Sequence, residues 1–208
     1  MVETYTYNQE NLQSLINSSG FINVSGIYNE KPELSPPGTN EIKKQMLINL
    51  GIVKAFINPN EINNVFKWYQ MYDLIKHLSN DQIEYFESNT LLNLSLFEIA
   101  LLVDSTYILA WSIDCIDSAP FPNLPLSRHQ MEALYQSCPS VFDSTNDFIN
   151  KEHSINTMKL VFHKSLYDSV INSFQPGKLI NKNSSFEPVI LKNRIKTLNW
   201  VLNNSKLV

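Results

Sequence analysis

LLNLSLFEIALLVDSTYILAWSIDCI, residues 91–116, is the stretch on which the fold turns. Apolar side chains occur all round its helical wheel, and its only charges are Glu98, Asp104 and Asp114. Its length would suit a bilayer. Three carboxylates spread along it, with no basic cluster at either end, instead predict a helix buried at the centre of a protein. The prolines of Ser118-Ala-Pro-Phe-Pro-Asn-Leu-Pro125 cannot continue the helix and stop it.

Outward from this segment, the chain reads as further helices. Thr39 or Asn40 is placed to cap one carrying Ile42, Met46, Leu47, Leu50 and Val53. Asn60 is placed to cap a second with Ile62, Val65, Phe66, Tyr69, Tyr72 and Leu74. Ser79 with Gln82 forms the pattern of a capping box ahead of Ile83, Tyr85 and Phe86, and Ser127 opens a helix with Met131, Leu134 and Tyr135. Residues 153–174 carry Met158, Val161, Phe162, Leu166 and Val170 at helical spacing, and Pro188 sits in the first turn of a last helix reaching Leu202. Residues 1–38 are the least regular part, with a short helical pattern at Glu10 to Ile16, a weak edge-strand alternation at Phe21 to Tyr28 and an extended loop at Lys31-Pro-Glu-Leu-Ser-Pro-Pro-Gly38. The reading is an all-α fold: an irregular N-terminal arm, 1–38, laid over a single compact multi-helix domain, 39–208, built around a long buried central helix.

Composition narrows the function classes. A chain of 208 residues buries roughly 70% of its unfolded surface and needs no staple. A formal net charge of -4 offers no general attraction to nucleic acid or to anionic lipid, so neither nucleic acid nor membrane is expected as a partner. Cys115 and Cys138 lie far apart with no CxxC or Cys/His spacing, which predicts two reduced thiols and no zinc site or disulfide framework. The opening residues have no basic start followed by an apolar run, so a cytoplasmic protein is expected. About 25 asparagines, with abundant Lys and Ile, fit an AT-rich bacterial coding bias.

No phosphate-binding loop, nucleophile elbow, HExxH or calcium-loop motif is present, and five glycines leave little for a phosphate cradle. His77, His129, His153 and His163 have no metal-ligand spacing. No catalytic residue, cofactor or metal is therefore expected. The candidate polar cluster is Asp104, Tyr107, Trp111 and Asp114, at i, i+3, i+7 and i+10 on one broad stripe, together with Arg194 and Trp200 on the last helix. A carboxylate inside a nearly apolar helix needs a cation, and Arg128 and Arg194 are the only arginines. Arg194 shares its helix with the apolar pattern Leu191, Ile195, Leu198 and Val201, so the expectation is a direct, largely buried Asp104–Arg194 ion pair.

Two segments, Asp104-Ser-Thr-Tyr-Ile-Leu-Ala-Trp-Ser-Ile-Asp-Cys-Ile116 and Asn193-Arg-Ile-Lys-Thr-Leu-Asn-Trp200, resemble the bacterial domain-of-unknown-function family 4272. In that family a long helix bears an acidic residue seven positions before a Trp, and a final helix bears an Arg six positions before a Trp. Here these are Asp104 with Trp111 and Arg194 with Trp200. The family's Glu in the long helix is Asp104, and its Glu-Arg-His is Asn193-Arg194-Ile195. The resemblance implies a helical fold and carries no activity.

The functional expectation is a non-enzymatic protein-interaction domain, immunity-like or accessory, that binds another protein or itself. The alternative is a small-ligand-binding or enzymatic helical domain with a pocket around Asp104, Tyr107, Trp111 and Arg194.

Overall fold

Three of the helices open on the same reciprocal device. The hydroxyls of Ser79, Ser95 and Ser127 accept from the backbone N–H of Gln82, Glu98 and Gln130, whose side chains accept from the serine backbone in return. In the computed structural model, which describes residues 36–88, 94–122, 124–138, 143–173 and 188–203, all regular structure is helical. The elements are α1 (Thr39–Ile57), a 3-10 turn (Pro59–Glu61), α2 (Ile62–Met71), a second 3-10 turn (Ile75–His77), α3 (Asn80–Glu87), α4 (Leu96–Ser112), α5 (Arg128–Ser137), α6 (Thr145–Asn150), α7 (Thr157–Ser173) and α8 (Pro188–Asn203). No helix of the described residues is long and apolar enough to cross a membrane. The expected N-terminal arm lies outside the described residues, apart from residues 36–38, of which Gly38 is extended.

The segment 91–116 gives a shorter helix than its hydropathy predicts. At its start, Ser95 and Glu98 close a capping box that sets Leu96 as the first helical residue. At its end, Asp114 takes a left-handed φ of 57°. Cys115 N–H then reaches the Ala110 carbonyl at 2.9 Å and Asp114 N–H the Trp111 carbonyl at 3.2 Å, the Schellman pattern. Asp73 ends α2 in the same way, with φ 55° and Leu74 N–H on the Tyr69 carbonyl at 2.8 Å. Glycine is the usual residue at such a stop, so neither end is announced by the sequence.

Other boundaries shift for equally local reasons. Neither Thr39 nor Asn40 caps α1, because the helix already includes both and the residue before it is Gly38. Asn60 lies inside the 3-10 turn and not at a cap. Residues 153–156 stay outside α7, where the Asn156 side chain accepts from Lys159 N–H at 3.1 Å.

α4 is flanked by α1 and α8, and α7 packs against α8 while its His163 and Lys159 reach Trp111 of α4. This is why apolar residues surround α4: from Asp104 to Ser112 it is buried on every side, while Leu96 and Phe97 in its first turn remain exposed. α1 is nearly as enclosed, with Ile42, Met46, Leu47, Ile48, Ile52 and Ala55 all buried. It also carries Lys43, only 1% exposed, whose Nζ donates to the carbonyls of Ile149 and Lys151 at the end of α6. A cation there meets the negative end of a helix and satisfies carbonyls with no helical partner.

Candidate functional site: the Asp104–Arg194 pair and the loop it holds

Asp104 occupies the turn at which α4 becomes fully buried, and Arg194 faces it from α8. The guanidinium donates from Nε to both carboxylate oxygens, at 3.0 and 3.1 Å, and from Nη2 to Oδ1 at 2.6 Å. Arg194 is fully buried and Asp104 is 4% exposed. Burial pushes the Asp104 carboxyl above its ordinary value, against the opposing pull of the guanidinium and its hydrogen bonds. The geometry and this upward direction pull opposite ways. The permanently charged guanidinium, with its donors aimed at the carboxylate, keeps the pair ionic at neutral pH.

The remaining donors of Arg194 explain what the pair positions. Nη1 donates to the Phe121 carbonyl and Nη2 to the Leu124 carbonyl at 3.0 Å. Two tyrosines hold the same loop. Tyr107 Oη donates to the Ser118 carbonyl at 3.0 Å, and Tyr167 Oη on α7 donates to the Pro120 carbonyl at 2.9 Å. Four carbonyls of the proline-rich stretch are thus tied to α4, α7 and α8, while Phe121 is 54% and Leu124 41% exposed. Prolines lack N–H groups and cannot pair such a loop into a sheet, so its carbonyls take side-chain donors from below.

The other candidate residues separate. Trp111 is buried at 1% exposure, its ring 4.6 Å from His163 and 4.4 Å from Lys159 Nζ. Asp114 does not extend the stripe. Its left-handed backbone turns it out of the helix to the surface, where Lys159 Nζ at 2.5 Å and Ser154 Oγ at 3.1 Å meet its carboxylate. Trp200, six residues beyond Arg194, lies about 240° round α8 from it and is half-buried against other core residues.

Residues outside the expected set also take part. Asn193 Nδ2 donates to the Leu101 carbonyl at 3.0 Å and to Ser105 Oγ at 2.9 Å, locking α8 to α4 beside the ion pair. Cys115 Sγ lies 3.4 Å from His153 Nδ1 and 3.6 Å from Nε2, within reach of a thiol–imidazole hydrogen bond. Burial raises that thiol to about 11, which argues against an activated thiolate. No His, Cys, Asp and Glu cluster suited to a metal ion occurs among the described residues. Asn193 adjoins Arg194 in sequence and could have been noticed; nothing in the sequence pairs residue 115 with 153.

Two concavities are described. One, of about 290 Å³, lies over α4 between α1 and α8, and the other, of about 470 Å³, lies beside Cys138, Phe148 and Lys151. None of Asp104, Tyr107, Trp111 and Arg194 lines either one. Comparison with protein-family models, with curated proteins and with solved structures finds no match for this chain.

Proposed function

We propose that this chain is a non-enzymatic protein-interaction domain of a bacterial system, immunity-like or accessory, and that the 118–126 loop is its binding face. One observation carries the reading: Arg194, Tyr107 and Tyr167 hold the loop's carbonyls from below while Phe121 and Leu124 project outward. An apolar pair on a loop already fixed in place binds with less ordering cost than the same pair on a free one. α5 begins just beyond the loop and adds exposed Met131 and Tyr135, four residues apart on one helical face. The free thiols Cys115 and Cys138 fit a reducing compartment, and we place the protein in the cytoplasm. Membership of the domain-of-unknown-function family 4272 belongs to the same reading and rests on the two segments around Asp104 and Arg194.

The test is affinity capture from the source cell, paired with sedimentation of the purified chain. The wild type should retain one stoichiometric protein partner or form a defined oligomer. Phe121→Ser with Leu124→Ser should lose that association with its melting temperature unchanged. A wild type that captures nothing and stays monomeric would sink the proposal.

A further inference from the structure

The cavity between α1 and α8 has a floor and two walls of different chemistry. Leu101, Leu102, Ser105 and Leu109 of α4 form the floor and share one side of that helix. Asn49 stands in the α1 wall and Asn193 in the α8 wall. Asn49 is 4% exposed. Its Oδ1 accepts from Gln45 Nε2 at 3.0 Å, whereas its Nδ2 meets no acceptor among the described residues. That donor is not sealed in the core, where the unpartnered side-chain atom among the described residues is His163 Nδ1; Asn49 lines the cavity. Asn193 spends both amide hydrogens on Leu101 and Ser105, and its Oδ1 meets no donor among the described residues.

The walls therefore offer one donor and one acceptor above an apolar floor, the complement of a carbonyl and an N–H carried by one small group. Charge at the rim is balanced, with Glu98 and Lys196 both lining the opening. That balance favours a neutral ligand over an ion. A volume of about 290 Å³ sits at the small end of ligand pockets. We propose that this cavity binds a small uncharged molecule bearing a primary carboxamide or lactam on an apolar body. The site shares no residue with the 118–126 loop and stands independently of the interaction reading.

The test is a titration of the full chain, isotope-labelled for observation of side-chain amides, with cyclohexanecarboxamide and with methyl cyclohexanecarboxylate, an ester that lacks the N–H. The carboxamide should shift the Asn49 and Asn193 side-chain signals saturably, with a Kd on the order of a millimolar, and the ester should bind about tenfold more weakly. Asn49→Leu, which removes the donor to the carbonyl that both probes carry, should weaken both several-fold and leave the preference for the carboxamide in place. If that variant misfolds, the amide-against-ester comparison on the wild type still decides. Equal affinity for the two probes, or no saturable shift, overturns the proposal. So do cross-relaxation contacts from the Asn49 amide to residues 1–35, which would make the chain's own N-terminal segment the occupant.

Discussion

Arg194 Nη2 donates to Asp104 Oδ1 at 2.6 Å and to the Leu124 carbonyl at 3.0 Å, so one nitrogen joins the buried ion pair to the exposed loop. Loss of either charged partner leaves the other buried without a counter-ion. Asp104→Ala or Arg194→Met alone should cost roughly 3–5 kcal/mol in chemical denaturation. Asp104→Leu with Arg194→Met should cost much less than the sum of the single changes, because desolvation of both charges disappears together. Strict additivity would mean that the two residues are not coupled. Burial is the larger influence on Asp104, so the folded state holds that proton more tightly than the unfolded state does. Stability is therefore not lost through this residue as the pH falls.

Trp111 fills the core between α4 and α7, and α7 supplies both the His163 ring, T-shaped to the indole, and Lys159 over its face. Trp111→Ala should destabilise by roughly 3–5 kcal/mol, from lost burial, an unfilled cavity and the lost cation contact. A melting temperature within a degree or two of wild type would contradict this.

His163 sets a pH dependence whose sign is fixed. It lies among the rings of Trp111, Phe162 and Tyr167 with a buried Nδ1 that meets no hydrogen-bond partner among the described residues. Burial, then the charge of Lys159, lowers it from 6.5 to about 4. Between those values the unfolded chain binds a proton that the folded chain refuses, so the stability present above pH 6.5 drains away as the pH falls towards 4. The loss from this residue should reach about 2–3 kcal/mol by about pH 4.5. His163→Phe should flatten the decline by about that amount in urea titrations at about pH 7 and about pH 4.5; parallel declines would show that His163 is protonated in the fold.

Gly51 lies where α1 passes the buried Tyr69. A methyl group at Gly51 would stand 2.7 Å from ring atoms Cε1 and Cζ and closer still to Oη, which donates to the Ile48 carbonyl at 2.5 Å. Gly51→Ala improves helix propensity by about 1 kcal/mol, but overpacking against an anchored ring costs about 1–3 kcal/mol or more, and the clash wins. The variant should melt lower. Adding Tyr69→Phe, which removes the nearest atom, should cost less in the Gly51→Ala variant than in the native chain.

How much of this was legible in the sequence follows from the range of each interaction. Periodicity, the Ser79 capping box and the prolines at 120–125 and 188 act within a few residues, so the order of the helices could be read directly, except for the six-residue α6, too short to show a helical period. The Asp104–Arg194 pair was also within reach, because a buried carboxylate needs a cation and the chain has only two arginines. The Schellman stops at Asp73 and Asp114 were not legible, since aspartate adopts the left-handed conformation there only with the surrounding contacts in place. Only the tertiary structure decided that Arg194 also holds the Phe121 and Leu124 carbonyls, that His163 joins Trp111, that Lys43 ends α6, and that Asn49 keeps an unmatched donor above α4. Partners of this kind, such as Lys43 with Ile149 or Asn193 with Leu101, lie about 90 to 106 residues apart. Their meeting depends on how α1, α7 and α8 settle around α4, an outcome of summed packing that no local pattern of residues encodes.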